Sequence, residues 1–176
     1  MQIASASAAE RIGLYTPEER RRRDASVWTI VQGVLAPLQF LVFLVSLSLV
    51  LHYVVTGAGL TAANISVIAK TLVLYLIMIT GSIWEKDVFG QYLFAPAFFW
   101  EDAVSMLVLA LHTAYLVAQG AGLLSPSALM ALALMAYLSY VVNAGQFLWK
   151  LRQARLQGSR QGQTHSGSGA VSELAS

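Results

Sequence analysis

Four carboxylic acids, a lysine and a histidine stand where an apolar chain has no ordinary use for them. Glu85, Asp87, Glu101 and Asp102 bracket one short connection that is dense in aromatics, from Trp84 through Phe98, Phe99 and Trp100. Lys70 and His112 fall well inside long apolar runs. A carboxylic acid in a partly apolar setting keeps its proton long enough to donate it, and a histidine beside it can take one back. Aromatics and charges also collect at any membrane boundary, so the cluster alone does not prove catalysis. Charge inside a membrane span is costly, however, and an intramembrane ionisable group is by default a functional candidate.

Helical spacing sorts these residues onto faces. Glu101, Ser105, Val108, His112 and Tyr115 form one stripe. Asp102 shares its face with Met106, Leu109 and Thr113, which is mostly apolar, so Glu101 is expected inward and Asp102 less so. At 1.5 Å per residue, His112 and Lys70 each lie about 20 Å from the ends of their helices that meet at the acidic connection, hence at one depth. Gln32 and Gln39 share a face. Ser139, Asn143, Gln146 and Lys150 form another stripe, with Tyr137 and Tyr140 near it. Such amides also serve as plain interhelical hydrogen bonds.

Two metal readings fail on spacing. His52 and His112 differ by roughly 15 Å in depth, and His165 sits in the tail, so a bis-histidine haem is not expected. No His-x-x-x-His or Glu-x-x-His pair exists. With no cysteine, disulfides and thiolate sites are excluded.

The elements that must position these groups are four apolar segments at roughly 28–55, 62–84, 98–120 and 127–149, each long enough to cross the hydrocarbon core. Of 176 residues, 57% are hydrophobic and only 11% charged, against about 25% charged in an ordinary soluble domain. Mean hydropathy is +0.63. The fold expected is all-α, a membrane bundle of four transmembrane helices. Residues 1–26 form a basic segment whose Thr16-Pro17-Glu18-Glu19 reads as an N-cap, a first-turn proline and first-turn acids. Pro37 suggests a kink in the first span. Residues 151–176 are expected to be a mostly disordered, Gly-, Ser- and Gln-rich tail. No cleavable signal peptide is expected.

The basic balance, pI near 9, is a topology signal rather than a nucleic-acid footprint. Arg11 and Arg20 to Arg23 precede the first span, Lys86 lies between the second and third, and Lys150, Arg152, Arg155 and Arg160 follow the fourth. The other two loops carry no lysine or arginine, which places both termini and the acidic connection in the cytoplasm.

Several long segments are similar to the 2-vinyl bacteriochlorophyllide hydratase family of purple photosynthetic bacteria. They are Leu14 to Ser26, Trp28, Val31 to Phe40, Trp84-Glu85-Lys86, Phe89 to Asp102, Ala110 to Tyr115 and Asn143 to Leu156. The resemblance covers about residues 14–156. It implies a hydro-lyase of bacteriochlorophyll biosynthesis that adds water across the ring-A (3-vinyl) group of a chlorophyllide or bacteriochlorophyllide, giving a 3-(1-hydroxyethyl) group. It implies the bilayer and the pigment as partners, along with other enzymes of that pathway, in the bacterial inner or intracytoplasmic photosynthetic membrane. No cofactor is expected, magnesium arriving only inside the substrate.

The resemblance carries over no catalytic residue, so the roles rest on chemistry. Protonation of the vinyl's terminal carbon leaves a cation delocalised into the ring, and water attacks beside it. Glu101 and Asp102 jointly with His112 are the favoured acid–base groups, with Glu85 and Asp87 as further acids. Trp84, Phe98, Phe99 and Trp100 would line a flat slot, with Gln39 and Asn143 in polar contact with the substrate. Lys70 would meet its propionate, and His112 could ligate its magnesium axially. The main alternative is a non-enzymatic tetraspan pigment carrier or assembly factor, and a more distant one is a proton-coupled transporter using Lys70 and His112. Reporter fusions after Arg155 and within Lys86–Gln91 are expected to report cytoplasm, and fusions at Gly57 or Gly122 periplasm; a periplasmic carboxyl terminus would reverse the orientation.

Overall fold

A computed structural model describes residues 14–173, with side chains through 153. The short first helix, α1 (Pro17–Ala25), starts as its sequence dictates. Thr16 Oγ1 accepts from Glu19 N at 3.2 Å, and Thr16 N donates to the Glu19 carboxylate at 2.8 Å. This reciprocal capping box satisfies two backbone donors that a bare helix start leaves open. Ser26 ends α1 and caps the next helix.

Four long helices follow: α2 (Val27–Thr56), α3 (Leu60–Phe89), α4 (Phe99–Gly120) and α5 (Pro126–Glu173). Among the described residues there is no strand. Each long helix contains a window long and apolar enough to cross a membrane, that of α5 within Pro126–Gln153. The chain is a multi-pass, all-α membrane protein. Its outward faces carry residues such as Val34, Leu41, Val55, Leu72, Leu107 and Leu138, more than 40% exposed on the isolated chain. Lipid is the solvent that makes such a surface favourable.

At 30 residues each, α2 and α3 are about 45 Å long, against a hydrocarbon core of about 30 Å. Their surplus turns place Ser26–Thr29 and Glu85–Phe89 at the membrane boundary. α2 runs unbroken through Pro37. It ends where Gly57 and Gly59 adopt left-handed backbone, φ 72° and 85°, which turns the chain within four residues. Helix also continues along α5 past residue 150 to Glu173, where composition suggested a loose tail.

The helices pack as two tight hairpins, α2 with α3 and α4 with α5, joined more thinly by α2 against α5 and α3 against α4. One core fills the middle, with Phe43, Val67, Leu74, Val108, Tyr115 and Tyr137 at its centre. A second core closes the end that carries the acids. There Phe98 touches Tyr15, Trp84, Phe89 and Phe147, with ring centroids 5.7–6.4 Å apart. Tyr15 stacks on Phe89 at 5.8 Å and so fastens α1 across the end of α3. Burial pushes the Tyr15 phenol above its ordinary 10.0, with the Arg23 guanidinium 4.8 Å from its ring pulling the other way.

Phe98→Ala is expected to cost about 3–5 kcal/mol, because it empties the node on which four aromatics converge. Trp100→Ala, at a residue 72% exposed, is expected to stay within about 0.5 kcal/mol. Unfolding titrations in mild detergent compare the two; equal losses would show that the node carries no special weight.

Candidate functional site

The stripe expected on α4 is buried in full: Glu101, Ser105, Val108, His112 and Tyr115 all face the bundle. Each of its polar members meets a different neighbour. The Lys150 ammonium, from α5, forms a salt bridge with Glu101 at 2.5 Å and lies 4.8 Å from the Phe98 ring centroid. Asn143 Nδ2 donates to Ser105 Oγ at 2.8 Å. Tyr115 donates its hydroxyl to Asn64 of α3 at 2.8 Å.

Lys70 and His112, expected at one depth, meet there with Nζ and Nε2 2.7 Å apart and both side chains fully buried. The geometry fixes the imidazole tautomer. His112 Nδ1 lies 2.8 Å from the Val108 carbonyl, which can only accept, so Nδ1 carries the proton. Nε2 is then the acceptor and Lys70 the donor. Tyr140 lies over the Lys70 amine at 4.2 Å and Tyr137 at 5.5 Å. Both His112 nitrogens are thereby engaged, leaving neither free as an axial metal ligand in this arrangement. Lys70 is likewise closed off from a substrate carboxylate.

Asp102 departs from its expected place. Its helix face reads as apolar, yet it is 4% exposed and more deeply buried than Glu101 at 8%. The reason lies outside its helix. Residues 90–98 fold back over the first turn of α4, and Phe94 N donates to Asp102 Oδ2 at 2.7 Å. Beside it, Ala95 N donates to Glu85 Oε2 at 3.3 Å. Glu85 and Asp102 are both buried, 5% and 4% exposed, and are held by the amides of adjacent loop residues. Two buried carboxyls held side by side repel when both are charged, which favours keeping a proton on one of them. Phe94 adopts left-handed backbone, φ 59°, at a cost of about 1–3 kcal/mol for a non-glycine residue. Sequence spacing gave no sign of this buried acid pair, since α3 supplies one member, α4 the other, and the intervening loop covers both.

Other expected site residues divide. Asp87 is exposed and accepts from Ser26 Oγ at 2.7 Å, which ties the α1–α2 corner to α3 and keeps it away from the acid pair's contacts. Trp84 and Phe98 enter the aromatic core, and Trp84 Nε1 donates to Thr29 Oγ1 at 2.9 Å. Phe99 and Trp100 are 48% and 72% exposed and pack on each other outside it. The four aromatics therefore do not line one slot. Gln39 and Asn143 are both buried, and Gln39 Oε1 and Nε2 and Asn143 Oδ1 have no hydrogen-bond partner among the described residues.

A groove of about 300 Å³ lies at the opposite end between α2 and α5, lined by Tyr53, Val54, Met130 and Leu134 among others, far along the helices from the acids. Among the described residues, no group of three or more His, Asp or Glu side chains could hold a metal ion.

Residues 15–153 match the family described as 2-vinyl bacteriochlorophyllide hydratase. The 2-vinyl bacteriochlorophyllide hydratase of Cereibacter sphaeroides is 64% identical over 157 residues, covering 89% of this chain and 96% of its own length. That of Rhodobacter capsulatus is 66% identical over 148 residues, covering 84% and 85%. No solved structure matches.

The Lys70–His112 contact is testable by itself. Lys70→Met or His112→Leu alone should cost about 1–3 kcal/mol, since each strands a buried polar partner. The double variant should lose less than the sum. Strictly additive losses in detergent unfolding would show that the two groups do not support each other.

Proposed function

The chain belongs to the 2-vinyl bacteriochlorophyllide hydratase family, and from that membership we propose how it hydrates its substrate: the Glu85–Asp102 pair supplies the proton. The enzyme is a hydro-lyase of bacteriochlorophyll biosynthesis and adds water to a vinyl group of the pigment. The observation that carries the assignment of the donor is the burial of the two carboxyls together, Glu85 5% and Asp102 4% exposed, under the adjacent Ala95 and Phe94 amides, a setting in which two charges repel and one retained proton is favoured.

The steps balance without a redox partner. The pair's proton goes to the terminal vinyl carbon, and the π electrons form the new C–H bond. The cation left on the adjacent carbon is shared with the macrocycle. Water attacks that carbon through its oxygen and sheds one proton to a carboxylate. Glu101, paired with Lys150 at 2.5 Å, is a carboxylate one helical turn from Ser105 and is suited to take it. The sum is substrate plus one water. Because hydration is redox-neutral, the reading needs no cofactor of the protein's own, and the magnesium is part of the pigment.

Access follows from the same geometry. Phe94 and Ala95 lie against the two donors, so residues 90–98 must shift before a ring substituent can reach either carboxyl. The exposed Tyr92, Phe99 and Trp100 beside this loop offer an apolar, aromatic approach for a macrocycle moving along the membrane surface. Their boundary position, with the positive-inside pattern, supports delivery from the cytoplasmic leaflet of the bacterial inner or intracytoplasmic membrane. A substrate that reaches the site along the bilayer also suits hand-over to and from neighbouring enzymes of the same pathway.

Membranes containing the protein, given chlorophyllide and no NAD(P)H, are expected to yield a product heavier by one water. Solvent deuterium should appear on its new methyl group and water oxygen in its hydroxyl. Glu85→Gln and Asp102→Asn should each lower kcat by about 10²–10⁴-fold with pigment binding retained. Near-normal turnover in both would remove the pair as donor and return the role to Glu101.

A further inference from the structure

The added water must be held somewhere before it attacks, and the buried polar atoms without partners mark a place. Gln39 of α2 is 2% exposed with neither amide atom bonded, and Asn143 of α5 is 8% exposed with Oδ1 unbonded. Turning the Asn143 amide over changes nothing, because one of its two atoms then still lacks a partner. In a membrane interior such groups are expensive to leave open, and neighbouring side chains normally satisfy them.

Contacts further along the same two helices bring these two residues to one level. On α2 the inward face runs Gln39, Phe43, Ser46, Val50. Ser46 Oγ lies 2.5 Å from the Tyr137 hydroxyl, and Phe43 lies 4.9 Å from Tyr140, ring to ring. The helices are antiparallel, so one more turn along each brings Gln39 level with Asn143. Asn143 is fixed in turn by Ser105, which stands one turn from both Glu101 and Asp102. Below them Phe43 and Tyr140 close the interior. Gln146, with its own unbonded Oε1, is one turn nearer the acids on α5 and marks a polar route between them.

We infer that Gln39 and Asn143 are the water-positioning residues of the hydration, holding the attacking water between α2 and α5 beside Ser105. The chemistry matches a water better than a polar substituent of the pigment. Two acceptors, Gln39 Oε1 and Asn143 Oδ1, take the water's two protons, and the Gln39 amide N–H donates to its oxygen. Held this way, a lone pair of the water remains directed at the cation, and once the C–O bond has formed the oxonium releases its extra proton along the polar route past Gln146 to Glu101.

This inference rests on the hydratase reading, and the test separates the two. Wild-type protein in its membrane is incubated with chlorophyllide in deuterated water, and both product and recovered substrate are examined. If protonation occurs but the water is misplaced, the cation returns a proton and the recovered vinyl group acquires deuterium. For Gln39→Met, and independently for Asn143→Leu, the ratio of vinyl exchange to product should rise about tenfold or more, with KM little changed. A rise in KM with that ratio unchanged would assign the amides to the pigment and overturn the proposal. A parallel fall in exchange and product would make them merely structural and overturn it too. If wild-type protein gives no hydroxyethyl product, the hydratase reading itself fails.

Discussion

Lys70 Nζ and His112 Nε2 stand 2.7 Å apart at a depth where neither could find water instead. That constraint sets the rotation of three helices. Lys70 must face inward from α3, His112 from α4, and Tyr140 of α5 must lie over the amine. Once His112 is turned inward, the register of α4 does the rest. Glu101 lies eleven residues earlier, about three turns, and returns to within about 20° of the same face. The acid cluster at the boundary is thus aimed by a contact about 16 Å further into the bundle, at 1.5 Å per residue.

The bundle's hydroxyls show how carefully polar groups are settled elsewhere. Thr80 accepts from Gln32 and donates to the Leu76 carbonyl. Thr29 accepts from Trp84 and donates to the Arg23 carbonyl. Ser66 donates to the Ala63 carbonyl, so it accepts from Ser46, which accepts in turn from Tyr137. Each chain ends on a backbone oxygen that has a lone pair to spare. Against that regularity the side-chain amides differ: Asn143, Gln119 and Gln146 each leave a buried oxygen open, and Gln39 leaves both of its amide atoms open.

Much of this was readable from sequence, and the parts that were not share a cause. The four spans and the α4 stripe follow from composition and a 3.6-residue period, which depend on each helix alone. The meeting of Lys70 and His112 follows from counting rise, because a membrane gives both helices a common frame of depth. Asp102 could not be placed that way. What buries it is the path of residues 90–98, which turns on a left-handed Phe94 that no helical wheel contains. Likewise Phe98, Phe99 and Trp100 are adjacent and alike in chemistry, yet only Phe98 points into the aromatic core.

The tight pairing within each hairpin, set against the thin seam between them, has a consequence for how the protein is made. The α2–α3 hairpin emerges first, already stitched by Gln32 to Thr80 and Ser46 to Ser66. Lys70 enters the bilayer with it, but His112 lies 42 residues further along the chain. At roughly 5–20 residues per second, Lys70 waits about 2–8 s for its partner to be synthesised. During that interval the half-made protein carries an unanswered amine within hydrocarbon. The finished bundle hides it completely, so the state of this one amine differs between an orphaned first half and a completed bundle.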